Sequence, residues 1–240
     1  MSDFHNKTAS FASAASRTST YDASLRAYMV KVYNFMAIAL GISGAVAFLV
    51  ANSPALMSLF FGTPLAWVVM LAPLGFVFFF SYKLQSISAE KAKTYLWIYS
   101  GLMGLSLASI FVIYTGTSVA RIFFITSSVF GAMSLYGYAT KKDLSGLGSF
   151  LIMGLIGLMI ASLVNIFLKS SALEFALSVI GVFIFIGLTA YDTQRIKQTY
   201  YHFAGNSEMV AKMAVLGALN LYMDFINLFL MMLRFFGDRK

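Results

Sequence analysis

Asp192 and Asp224 each sit in an apolar stretch of a chain that otherwise keeps its acids and bases out of such stretches. A carboxylate inside a bilayer costs about 2.5–3.5 kcal/mol on insertion scales, so an acid held there points to function. Two carboxylates brought together where the dielectric constant is low cannot both ionise cheaply; they would share a proton and attract a hard cation through their oxygens. Protonation would then compete with cation binding. Asn220, Asp224 and Asn227 fall at i, i+4 and i+7, one polar stripe on one helix face. With water, the two amides could supplement the roughly 6–8 oxygens that Ca2+ takes. Near Asp192, the residues Thr189, Tyr191, Gln194 and Arg195 arrive where its apolar stretch meets water. A plainer alternative has Asp224 hydrogen-bonded to a neighbouring helix and Asp192 paired with Arg195 as an interfacial cap.

This chemistry presupposes a bilayer, and the composition supplies one. Of 240 residues, 60% are hydrophobic and 11% charged, and mean hydropathy is +0.81. A soluble domain carries about 25% charged residues, so this chain has too little polar surface to stay in water. The apolar runs are continuous, unlike the roughly 10-residue alternating segments of outer-membrane barrels, and they suit helices of about 20 residues. The fold class is therefore all-α, a polytopic seven-helix bundle. Its expected spans are 32–51, 65–82, 94–114, 118–138, 147–168, 172–192 and 213–236. Because the Asn–Asp–Asn stripe cannot face lipid cheaply, the last helix should be surrounded by the others. Residues 1–27, rich in Ser, Ala and Thr, read as a disordered tail before a single transmembrane domain over 28–240. The first span reads as an uncleaved signal anchor. With these limits Asp192 closes the sixth span while Asp224 lies about 16 Å into the last. The acids meet only if the sixth helix continues past Asp192, or if the last span begins later, near Gly217.

Lys and Arg set the orientation. One side of seven spans collects Lys7, Arg17, Arg26, Lys31 and a further eight basic residues; the other has Arg121, Lys169, Arg234, Arg239 and Lys240. The N-terminus is expected in the cytoplasm, against the pull of a basic C-terminus that a dipping last segment would relieve. The net charge of +8 reflects these loops and anionic lipid, not nucleic acid. Gly41 with Ala45, Gly104 with Ala108, and Gly157 with Ala161 are spaced for close helix packing. Hydrogen bonds to their own helix backbone or to a neighbour account for most polar residues within spans, such as Ser106, Thr126, Ser127, Ser128 and Asn165. Glu174, near a helix N-terminus, suits the macrodipole or a cation entry site. Without Cys, no thiol chemistry or cysteine metal site exists.

The segment Leu219-Asn-Leu-Tyr-Met-Asp-Phe-Ile-Asn-Leu-Phe-Leu-Met-Met-Leu-Arg-Phe-Phe-Gly237 resembles the C-terminal signature of the Bax inhibitor-1 family, the transmembrane Bax inhibitor motif proteins, in its bacterial branch. Ala190-Tyr-Asp-Thr-Gln-Arg-Ile-Lys197 is similar to the end of that family's sixth helix, and Lys141-Lys-Asp-Leu-Ser145 to its loop after the fourth. The resemblance runs from about Arg26 onward. It implies seven helices with the last one central, a bacterial inner membrane, and a pH-sensitive calcium leak. It also implies that Asp192 and Asp224 are the pH sensor and gate, and the oxygens for any bound Ca2+. Some relatives place an Arg at the cytoplasmic end of the second helix to engage the sixth-helix aspartate. Here Tyr82 and Lys83 stand there, and Lys83 is a weak stand-in for a guanidinium fork.

An intramembrane aspartyl protease also uses two aspartates, and Tyr191-Asp192 resembles half of the presenilin-type signature. Tyr222 and Met223 replace the glycines expected before the second aspartate, so no enzyme is expected. A retinal protein would need a Lys within a span, and none lies there. The alternative of another class, which the resemblance to bacterial members of that family also implies, is a non-transporting modulator that binds a membrane protein such as an ATP-dependent membrane protease. Its tail would be the handle.

Overall fold

In hydrocarbon every backbone amide must be satisfied within the protein, and long apolar runs do so as helices. The computed structural model describes residues 22–84 and 86–240. Among these lie α1 (described over Asp22–Ala51), α2 (Pro54–Phe61), α3 (Leu65–Lys83), α4 (Ala89–Leu107), α5 (Ile110–Ile113), α6 (Gly116–Ala139), α7 (Ser145–Leu168), α8 (Ser171–Phe203) and α9 (Ser207–Phe236). Seven spans are long and apolar enough to cross a membrane: α1, α3, α4 with α5 as Ala89–Ile113, and α6 to α9. Polar caps start them: Ser88, Thr115, Ser170 and Asn206 accept from the backbone N–H three residues on.

The last helix is the centre. In its apolar window 67% is buried inside the protein, against 11–33% in the other spans. α9 packs most closely with α8, and α1, α6 and α4 complete the ring. α7 is the most lipid-facing span, with Phe150, Met153, Leu163 and Phe167 all outward.

Several limits differ from the sequence expectation. The first helix is already formed at Asp22, and Leu25, Tyr28, Met29 and Val32 are buried at helical spacing. Of the tail expected over 1–27, residues 1–21 lie outside the described residues. The sixth span runs to Phe203, eleven residues past Asp192. Its charges mask an amphipathic helix, in which Thr193, Ile196 and Tyr200 stay buried while Arg195 is exposed. The last helix starts at Ser207, leaving only Ala204, Gly205 and Asn206 as the connection.

The small-residue pairs also need correcting. Gly41 and Gly157 have nothing within 4 Å of a built Cβ, whereas a Cβ on Gly104 would lie 2.6 Å from the Ser43 carbonyl oxygen, and Ala108 is fully buried. The basic C-terminus does not turn back. The strand-like contact of Arg239 with Tyr114, and the bonds Thr115 N–H to Asp238 O and Lys240 N–H to Ile113 O, pin it to the α5–α6 turn. Charge there is partly neutralised by the pairs Arg121–Asp238 and Arg239–Glu174, each at 3.0 Å.

Candidate functional site

α8 and α9 run antiparallel, with Gly181 facing Met231 at one level and Ile196 facing Gly217 at another. Between these levels the side chains of Asp192 and Asp224 come together, near enough for each carboxyl to act on the other. The extension of α8 past Asp192 permits the meeting. Asp224 is 6% exposed, and its Oδ2 has no hydrogen-bond partner among the described residues. Asp192 is half-buried, and Arg195, one turn on, is near enough to act on it through its charge.

Glycines seat α8 around Asp192. A Cβ on Gly137 would lie 2.2 Å from the Ala190 carbonyl oxygen, so α6 touches α8 backbone to backbone. A Cβ on Gly148 of α7 would strike the Tyr191 ring at 2.3 Å, and Gly187 leaves room for Leu151. Below, Gln194 clamps the α6–α7 loop: its Nε2 donates to Lys142 O at 2.8 Å and its Oε1 accepts from Leu144 N–H at 2.9 Å. Lys197 Nζ donates to Tyr138 O at 3.0 Å and lies over that ring. Asp143 Oδ1 accepts from the Ser145 hydroxyl at 2.7 Å and from its N–H at 2.9 Å. These bonds hold the Asp143 carboxyl below the usual carboxylate range.

The remaining expected residues divide. Tyr191 is half-buried against Gly148, within the site's wall. Asn220 and Asn227 are half-buried, and Asn227 Nδ2 donates to Met223 O of its own helix at 2.9 Å. Lys83 and Arg195 are exposed, and among the described residues neither makes an ion pair. Glu174, in the first turn of α8, is committed to Arg239. No group of three or more His, Asp or Glu that could hold a metal occurs among the described residues, so two carboxylates are the charged oxygen set at this site. Of the polar residues within spans, Ser127 and Ser128 bond their own helix, Ser106 bonds both Leu102 O of its own helix and Val69 O of α3, and Thr126 donates to Met232 Sδ.

A buried node escaped the sequence. The hydroxyls of Ser43 and Tyr222 are 2.6 Å apart, and Ser43 Oγ also donates to Ser100 O at 2.7 Å. This knot ties α1, α4 and α9 together two residues from Asp224. Nothing local to Tyr222 in the sequence reveals a partner 179 positions away.

On the side opposite the lysine-rich loops, a cavity of about 740 Å³ is lined by polar Ser106, Ser109, Asn165, Glu174, Arg234 and Arg239, with Leu177 and Leu230 also in its wall. Leu230 is about 9 Å along α9 from Asp224. On α8 the face from Leu177 to Asp192 passes through Gly181, Ile184 and Leu188, at spacings of three and four. Ile184 and Leu188 are 7% and 4% exposed, an apolar seal between the cavity and the acids.

Residues 25–240 match the family described as inhibitor of apoptosis-promoting Bax1. An uncharacterized protein of Rickettsia prowazekii is 52% identical, the match covering 94% of this chain and 95% of that one. A Caulobacter vibrioides protein is 46% identical over the whole of both chains. The Escherichia coli inner membrane protein YbhL is 47% identical, over 91% of this chain and 94% of its own. With a family match over nine tenths of its length and relatives of this similarity, the chain belongs to the Bax inhibitor-1 family, as a multi-pass integral membrane protein.

Proposed function

We propose that the protein is a pH-responsive calcium leak whose gate is the Asp192–Asp224 pair. The supporting observation is the meeting of two carboxyl groups on the buried central helix and its closest neighbour. Two carboxyls this near each other in a site of low dielectric are cheap to hold only while they share a proton. When it leaves, two like charges face each other in a dry site; the helices must part or a cation must take the proton's place. Proton and cation thus compete for the same oxygens.

Two carboxylates offer at most four of the roughly 6–8 oxygens calcium prefers, so water must supply the rest. Such incomplete coordination suits an ion in passage better than one in residence. For an ion from the far side, the apolar face at Ile184 and Leu188 is the barrier that parting of α8 from α9 would open. The Arg239–Glu174 pair at that mouth is more than a third exposed on both sides, and exposed pairs are worth about 0–1 kcal/mol, so it is no lock.

The test is calcium flux into proteoliposomes across neutral pH, for the parent, Asp192→Asn and Asp224→Asn. A parental leak that varies with pH, flattened by either substitution, is the expected result. A parent that passes no more calcium than empty liposomes at any pH refutes the leak and favours a non-transporting modulator of another membrane protein.

A further inference from the structure

α1 and α6 flank α9 without closing over it, and a groove runs between them. Its half toward the lysine-rich side is a space of about 580 Å³ that includes Arg26, Tyr33, Gly131, Ser134, Leu40 and Phe225 in its lining. The other half, about 690 Å³, shares Leu40 and Phe225 with the first. The walls are overwhelmingly apolar, and the rims at Phe48, Phe124 and Leu135 are 57–70% exposed, so the groove opens sideways toward hydrocarbon.

Two of the polar groups that interrupt this lining lie toward one end of it. Ser134 is 4% exposed and its Oγ has no hydrogen-bond partner among the described residues, although a helical serine ordinarily bonds the carbonyl four residues back. A buried hydroxyl left unpaired is destabilising, so an acceptor from outside the chain is the natural remedy. Arg26, at the same end, is exposed and makes no ion pair among the described residues. Ser134 lies five residues from the end of α6, about 7 Å below it along the axis. An anion at the interface with an ester carbonyl beneath it, followed by a long apolar chain, matches this order of groups.

We propose that the α1–α6 groove is a binding site for a glycerophospholipid of the lysine-rich leaflet, its phosphate at Arg26, an ester carbonyl accepting from Ser134, and an acyl chain lying over Leu40 and Phe225. The chain's own residues 1–21 contain no apolar run able to fill such a groove. Phe225 directly follows Asp224, and Phe123 and Phe130 meet its ring at 5.5 and 5.4 Å, so the lipid would lie against the helix that holds the acid.

Native mass spectrometry of the full chain, purified in mild detergent, tests the site. The parent should retain one phospholipid. Gly131 has nothing within 4 Å of a built Cβ, so Gly131→Phe fills the groove and should lose the lipid. Gly41→Phe, exposed and off the groove, should keep it. Ser134→Ala should weaken retention while leaving thermal stability equal or higher, which separates a lipid contact from a structural one. From nanodiscs of equal phosphatidylglycerol and phosphatidylethanolamine, the parent should carry away the anionic lipid with about tenfold preference, the size of one charge-assisted contact, and Arg26→Gln should abolish that preference. A lipid-free parent, a lipid-free dimer, or retention unchanged by both Gly131→Phe and Ser134→Ala overturns the proposal.

Discussion

Gly137 is where the account of the site can be broken by one methyl group. A Cβ there would stand 2.2 Å from the carbonyl oxygen of Ala190, and ordinary contact begins near 3.4 Å, so α6 and α8 would have to part by about 1.2 Å. Both are backbone at the contact, and neither can swing aside. Overpacking of this kind costs about 1–3 kcal/mol. Alanine also gains about 0.8–1.0 kcal/mol over glycine in a helix interior. Gly157→Ala is the matched control: it makes the same change in a span, with nothing within 4 Å. The propensity gain cancels between them, so Gly157→Ala should be the more stable by about 1–3 kcal/mol. Thermal unfolding in one detergent, followed by the fluorescence of Trp67 and Trp97, would show a gap of about 2–4 °C for each kcal/mol. Because Ala190 is two residues from Asp192, Gly137→Ala should also alter the pH profile of calcium flux, which Gly157→Ala should leave alone. If Gly137→Ala melts at or above Gly157→Ala, the backbone contact that seats α8 is refuted.

Gln194→Ala removes both side-chain bonds that hold the α6–α7 loop; at about 1–3 kcal/mol for each buried group left unpaired, limited trypsin digestion at Lys141 and Lys142 should accelerate while the spans stay protected. Asp143 is held below the ordinary carboxylate range, so its cap on α7 stabilises above that range and is lost as pH falls through the folded-state value. The parent should therefore exceed Asp143→Ala in stability at neutral pH, and the difference should vanish in acid; a difference that grows on acidification contradicts the sign.

The fold was legible because hydrocarbon leaves few options. Runs of apolar residues gave seven helices, and the Asn220–Asp224–Asn227 stripe marked the last one as buried. The ends were less legible where charge and helix coexist. Arg195 and Lys197 look like the start of a loop, yet they project from one side of a helix whose other side keeps Thr193, Ile196 and Tyr200 inside. That misplaced end is what made the two acids seem to lie at different depths. Asp192 and Asp224 were visible because a charge in an apolar stretch is rare, and an absence of such contrast hid Tyr222. The glycines show the same limit from another side: spacing of four marks a smooth face but not which face meets a neighbour, so Gly41 and Gly157 are bare while the unflagged Gly137 and Gly148 make contact. Asn220 and Asn227 lie on the right helix, but at least Asn227 satisfies itself against Met223 O.

The most direct test of the central claim, that the two acids act as one proton-sharing unit, is a double-mutant cycle read as the pH dependence of calcium flux in proteoliposomes. Groups in contact are non-additive, whereas independent groups add within about 0.3–0.5 kcal/mol. Asp192→Asn, Asp224→Asn and the double variant should share one flattened profile, since the first substitution already ends the proton sharing. Two separate effects that sum in the double variant would contradict the claim.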